Sequence, residues 1–203
     1  MITLYGSPRS SAGRCIWALE EAGVPYNLKD VDMRNKEHKS SDFLQINPNG
    51  KVPALIDGSL KLFESMAINF HIAESYKKAL LGSTSSEKAQ VLQWSFWASA
   101  ELQGPIIEVF IQKVFMPDDK RDPKVIASNL EKLPNLFNIL NFSLNEKKYL
   151  VGNQFTLADL NLASVVSISN AIEFELKSYP NVLSWMSAMP DRPAFQKYMA
   201  LRK

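Results

Sequence analysis

Apolar and polar positions follow two different rhythms along this chain. In the first third, short apolar runs alternate with turn residues in the β/α order of a small mixed sheet. Ile2-Thr3-Leu4-Tyr5 reads as a strand, broken by Gly6-Ser7-Pro8. Helical spacing then runs from Ser10 or Ser11 to Ala22, with Cys15, Ile16, Leu19 and Ala22 recurring on one side. Gly23 predicts the helix stop, and Pro25 prevents its resumption. Residues 26–33 read as a second strand, followed by a polar stretch and a short helical turn around Phe43-Leu44. Asn47-Pro48-Asn49-Gly50 is dense turn chemistry. Residues 52–56 and 60–63 read as strands joined by the hairpin signal Asp57-Gly58. Residues 64–76 return to helical spacing, with Ala67, Ile68, Ile72 and Ala73 on one side.

Beyond this point everything predicts helix. Residues 77–85 are polar and suit a linker, which divides the chain into residues 1–76, the linker, and a helical domain over 86–203. Within it, residues 87–115 form one long helix bent at Gly104-Pro105, because proline lacks the N–H of the ladder. Pro117-Asp118-Asp119 ends it; residues 125–144, 157–171 and 181–189 predict further helices, and Arg192-Pro193-Ala194 starts a last one. The fold class is therefore α/β plus all-α.

Composition narrows the picture by exclusion. Among 203 residues, 46% are apolar and 22% charged, an ordinary globular balance, and the net charge of +2 is scattered. No basic stripe with interleaved aromatics is present, so no nucleic-acid partner is expected. No apolar run reaches the length of a membrane span, and Met1-Ile2-Thr3-Leu4-Tyr5 does not begin like a signal peptide. The single cysteine, Cys15, permits no intrachain disulfide and fits a reducing, cytoplasmic setting. It reads as a small buried apolar residue rather than a nucleophile. Two distant histidines without cysteine partners make a metal site improbable.

The chemistry lies in four segments of the first domain: Tyr5-Gly6-Ser7-Pro8-Arg9-Ser10-Ser11, Glu37-His38-Lys39, Asn47 through Leu55, and Leu62-Phe63-Glu64-Ser65. A hydroxyl at a helix start can simply cap the first turn. The same geometry can also hold an anion, because the helix N-terminus carries roughly half a positive charge. Each segment alone is a weak signal. Taken together, in this order and ahead of a helical domain, they resemble the cytosolic glutathione S-transferases of the serine type, nearest the phi class and related bacterial enzymes.

That resemblance implies a thioredoxin-like N-terminal domain and a C-terminal α-helical domain. It implies an enzyme that joins the glutathione thiolate to small electrophiles, with glutathione as co-substrate and no other cofactor. The family's active serine follows a Pro-x pair, which points to Ser10, with Ser11 as the alternative in this Ser-rich loop. Val52-Pro53 resembles the family's cis-proline turn, where the Val52 backbone would pair with the tripeptide like a free strand edge. By the same resemblance Glu64 and Ser65 hold the γ-glutamyl end, and His38, Lys39 and Lys51 the glycine carboxylate. Lys51 stands where the phi pattern commonly has glutamine, and Asn49 where an aromatic often plugs a partner subunit. Phe110 and Val114 would line the electrophile pocket. Phe155-Thr156-Leu157-Ala158-Asp159-Leu160 carries a capping-box spacing with a flanking apolar pair, and reads as structural.

Two further expectations follow. The apolar residues Met66, Ala67, Phe70 and Ala73, with Trp94, Phe96, Trp97 and Phe110, exceed what one core absorbs, which predicts a two-fold homodimer. A glutathione-binding scaffold without turnover, or a glutathione-dependent peroxidase or isomerase, shares the same motifs. A thiol–disulfide oxidoreductase is disfavoured because the loop lacks cysteine.

Overall fold

A computed structural model describes residues 1–202. They divide into two compact units, one formed by Met1–Leu81 together with the C-terminal segment from Pro190, the other by Gly82–Met189. The linker expected over residues 77–85 is instead a 3₁₀ turn, Lys78–Leu81, whose Leu80 and Leu81 are buried in the first unit. The helical domain expected over 86–203 loses its last segment to that same unit.

The first unit is built on strands β1 (Ile2–Tyr5), β2 (Tyr26–Lys29), β3 (Ala54–Asp57) and β4 (Leu60–Phe63), with helices α1 (Ala12–Ala22), α2 (Ser41–Leu44) and α3 (Ser65–Tyr76). The sheet order is β2-β1-β3-β4, with β1 parallel to β2 and antiparallel to β3. The parallel pair requires a crossover, and α1 supplies it. Gly23 ends α1 in the left-handed conformation at φ 68°, its N–H turned back onto the last carbonyls, as the stop signal predicted. Strand periodicity then sorts the faces. Ile2 and Leu4 are buried, while Tyr5 turns to the other side, where it meets Phe43 of α2 in a small cluster with Val31 and Ala54. β2 stops at Lys29, short of the expected Met33, because Asp30 and the turn at 32–36 hydrogen-bond among themselves.

The second unit contains α4 (Ser85–Trp97), α5 (Gln103–Phe110), α6 (Pro123–Leu130), α7 (Leu133–Ser143), α8 (Leu157–Val166) and α9 (Pro180–Ser187). The long helix runs on through Gly104-Pro105, and its hydrogen bonding changes to a π turn at Ala98–Leu102 just ahead of the proline. A second π turn, Ile111–Phe115, ends it. Residues 125–144 are two helices rather than one: Pro134 cannot donate to the carbonyl four residues back, so α7 restarts with the proline in its first turn. The aromatics of α4 are not core. Trp94 and Trp97 are half-buried and Phe96 is 63% exposed, while Val91, Ser95, Ala98 and Leu102 face inward. α8 is buried over nearly its whole length, and Asn161 donates to Ser95 Oγ at 2.9 Å to fix it against α4. Among the described residues no helix is long and apolar enough to cross a membrane. The last helix, α10 (Pro193–Ala200), packs on α1.

Candidate active site

The chain leaves β1 through Gly6, at φ 132°, and there passes very close to its neighbours. A Cβ on Gly6 would stand 2.8 Å from Ala12 Cβ, 3.2 Å from Val52 Cβ and 3.5 Å from Ser10 Oγ. Only glycine fits, and its absence of a side chain is what brings Ser10 and Val52 to one place.

Ser10 is half-buried. Its hydroxyl donates to the Ser7 carbonyl at 2.7 Å and accepts from the Ala12 N–H at 3.2 Å. Ser11, the residue flanking α1, makes no side-chain capping bond. The first turn of α1 contains no acidic residue, so the helix supplies no anion of its own to its positive end. One turn further on lies Arg14, which the sequence reading missed. It is buried, and its Nη1 donates to Ser65 Oγ at 3.5 Å. Burial holds its guanidinium pKa below the usual value. An arginine set among Gly13, Cys15, Ile16 and Trp17 is a cation in the otherwise apolar first two turns of α1, and that anomaly is the signal it carries. Cys15 is fully buried with Sγ 3.6 Å from the Ser65 carbonyl. Burial pushes its thiol up to about 12, which removes it as a nucleophile near neutrality.

α1 and α3 are thus stitched together at their N-terminal ends. Ser65 opens α3 and is buried, whereas Glu64 before it is exposed and held at φ 68°, ψ 110°. A non-glycine residue there costs roughly 1–3 kcal/mol and persists only where its surroundings over-determine it. Val52-Pro53 is a cis peptide. Among the described residues no hydrogen bond reaches the Val52 backbone, so its N–H and C=O are an unpaired strand edge.

His38 and Lys39 lie in a 3₁₀ turn, Glu37–Lys39, against the 47–51 turn. Buried Asn47 shapes that turn, donating to the Lys51 carbonyl at 2.6 Å and accepting from the Asn49 N–H at 3.0 Å. Gly50, at φ 55°, lets the His38 carbonyl and Lys39 Nζ approach within 2.7 and 2.8 Å of where a Cβ would be. Lys39 Nζ donates to the Asn49 carbonyl at 3.2 Å, and Lys51 is exposed. His38 Nδ1 is shielded from solvent without a partner among the described residues. The structure therefore brings Ser10 and Val52 together at Gly6, ties Ser65 to α1 through Arg14 and Cys15, and sets His38 and Lys39 against the turn that carries Lys51 and leads into Val52. Phe110, half-buried, and Val114, 49% exposed, stand in the second unit, where the Phe110 ring meets Phe115 edge-on at 5.4 Å.

A mixed four-stranded sheet with a cis-proline turn, followed by a helical unit, defines a thioredoxin-like domain joined to an all-α domain. Residues 1–74 match the family described as glutathione S-transferase, N-terminal domain, and residues 105–193 match glutathione S-transferase, C-terminal domain. Glutathione S-transferase 1 of Zea mays is 37% identical over 206 residues, covering 98% of this chain and 96% of its own. The structure of glutathione S-transferase I from maize in complex with an atrazine glutathione conjugate superposes with a TM-score of 0.89 at 37% identity, over 99% of this chain and 97% of that one. A theta-class glutathione S-transferase from Xanthomonas axonopodis pv. citri, solved with glutathione bound, gives 0.90 at 31% identity, over 97% and 95% of the two chains. This chain belongs to the glutathione S-transferase family. The family, the two-part fold and the transferase class are those implied by the four motifs.

Proposed function

We propose that this enzyme lowers the pKa of the glutathione thiol with the Ser10 hydroxyl at the start of α1, and delivers the thiolate to small, largely apolar electrophiles. The observation that carries this reading is the Ser10 hydroxyl beside a helix N-terminus that has no anion of its own. A thiolate there gains the helix field and a charge-assisted O–H bond once Ser10 turns its proton from the Ser7 carbonyl to sulfur. Such surroundings take a thiol from ~8.5 to ~7 or below. The nucleophile belongs to the substrate, so the protein's work is positioning and electrostatics. Ser11 is the competing hydroxyl, one residue on.

The remaining roles follow the shape of the tripeptide. The unpaired Val52 edge, set by Pro53, pairs with its backbone; Ser65, backed by Arg14, and Glu64 take the γ-glutamyl end; His38, Lys39 and Lys51 take the glycine carboxylate. Phe110 and Val114 contribute apolar surface for the electrophile. The exposed Ala67 and Phe96 and the 37% exposed Phe63 support a two-fold homodimer, checked by sedimentation against the monomer mass of 22.9 kDa. The lone buried cysteine supports a cytoplasmic setting.

Chlorodinitrobenzene conjugation measured beside glutathione binding tests the activity. Turnover that falls in Ser10→Ala with binding retained supports the reading. Binding without turnover in the unmodified enzyme points to a scaffold, and damage confined to Ser11→Ala moves the role by one residue.

A further inference from the structure

We infer that Tyr198 of the C-terminal helix is a positioning residue for the Ser10 loop, acting through Gly13; this rests on the role proposed for Ser10. α10 runs antiparallel along one ridge of α1. Arg9, Gly13, Trp17 and Glu21, spaced by four, meet Arg202, Tyr198, Phe195 and Arg192, spaced by three or four, so each pair lies one helical turn from the next. At the far end Glu21 accepts from Arg192 Nε and Nη2, at 2.6 and 2.8 Å, and from the Trp17 indole N–H at 3.1 Å. In the middle the Trp17 ring meets Phe195 edge-on at 4.9 Å and stacks with Tyr198 at 6.4 Å.

At the near end the contacts bracket the catalytic loop. A Cβ on Gly13 would stand 2.7 Å from the Tyr198 hydroxyl and 2.6 Å from the Pro8 carbonyl, so both groups converge on the one position that lacks a side chain. Gly13 is in turn bonded to the loop, its N–H donating to the Ser10 carbonyl at 2.9 Å. Arg9, on the other side of Ser10, donates from Nε to the Arg202 carbonyl at 3.0 Å. Arg202 also lies over the Tyr198 ring, with Cζ 5.6 Å from its centroid. The residues flanking Ser10 on both sides thus touch the C-terminal segment. A hydroxyl misplaced by a fraction of an ångström still packs, but it no longer meets sulfur at the right distance.

The test is the pH dependence of kcat/KM for the electrophile at saturating glutathione, which reports the pKa of the bound thiol and which a purely structural contact does not move. Tyr198→Leu is expected to move the midpoint up by about one unit, lowering activity roughly tenfold below the midpoint and little at high pH. Glutathione affinity stays near that of the parent enzyme. Arg9→Gln, which removes only an exposed bond, is expected to shift it the same way by a smaller step, and decides the matter if Tyr198→Leu fails to fold. Arg192→Gln cuts the distant anchor and is expected to lower Tm without moving the midpoint. Unchanged midpoints in both Tyr198→Leu and Arg9→Gln overturn the inference while leaving Ser10 in its role. An unchanged midpoint in Ser10→Ala instead overturns the Ser10 reading, and this inference with it.

Discussion

The starts of α1 and α8 both place a hydroxyl on a first-turn N–H, Ser10 in one and Thr156 in the other, and end up with opposite electrostatics. At α8 the Thr156 hydroxyl accepts from the Ala158 N–H, and Asp159 receives four donors: the N–H groups of Leu150 and Thr156, the Thr156 hydroxyl and the Trp185 indole, at 2.9 to 3.2 Å. The protein fills that positive end with its own carboxylate. Burial nevertheless dominates and holds the Asp159 carboxyl above its ordinary range in spite of the four donors. At α1 the hydroxyl of Ser10 takes one N–H, no acid enters the first turn, and the field is left for an anion from outside. A closed helix start makes fold; an open one makes a site.

Four outcomes break or sharpen this contrast. Asp159→Ala has the largest expected effect, because it strands four buried donors: about 3–5 kcal/mol of stability, read by urea unfolding. A loss below ~1 kcal/mol would show that α8 does not depend on its acid. Ser10→Ala comes next, with kcat down ~10²-fold, the lower end of typical effects of removing a transition-state donor. Its unfolding midpoint is expected to change by much less than that of Asp159→Ala, since only one N–H loses its acceptor. Equal destabilisation in the two variants would erase the distinction.

Ser11→Asp converts the open end into a copy of the closed one. It is expected to raise stability by roughly 0.3–1 kcal/mol through the helix field, while raising the pKa of the bound thiol by like-charge repulsion. A variant that is more stable and equally active would separate the helix field from catalysis. The smallest effect belongs to the far end of α3, where the Tyr76 hydroxyl and then His71 hold the Asp57 carboxyl below its ordinary range. A depressed folded value stabilises above the unfolded pKa of about 3.9 and is lost as pH falls through the folded one. Tyr76→Phe is therefore expected to cost about 0.5 kcal/mol near pH 6, with the gap in Tm closing as pH falls through the depressed folded value. A gap that persists at low pH points to packing instead of ionisation.

What could be read without coordinates was local. Thr156 and Asp159, three residues apart, form the expected capping box; Asp57-Gly58 forms the hairpin; Gly23 ends α1. Each depends on bonds within a few residues, so residue type and spacing suffice. The split of 125–144 was legible too, in Pro134, but helical spacing on both sides of it hides the break.

The sequence by itself determined which segments are strand and which are helix, the stop at Gly23, the hairpin at Asp57-Gly58, and that Ser10 or Ser11 stands at a helix start, because those features rest on near-neighbour hydrogen bonding and side-chain period. Only the tertiary structure decided that Phe96 is exposed while Trp94 and Trp97 are half-buried, that Arg14 lies buried against Ser65, and that the last helix lies on α1 at Gly13. Burial and close approach between residues far apart in the chain have no local signature. They are set by which surfaces meet when the whole unit closes.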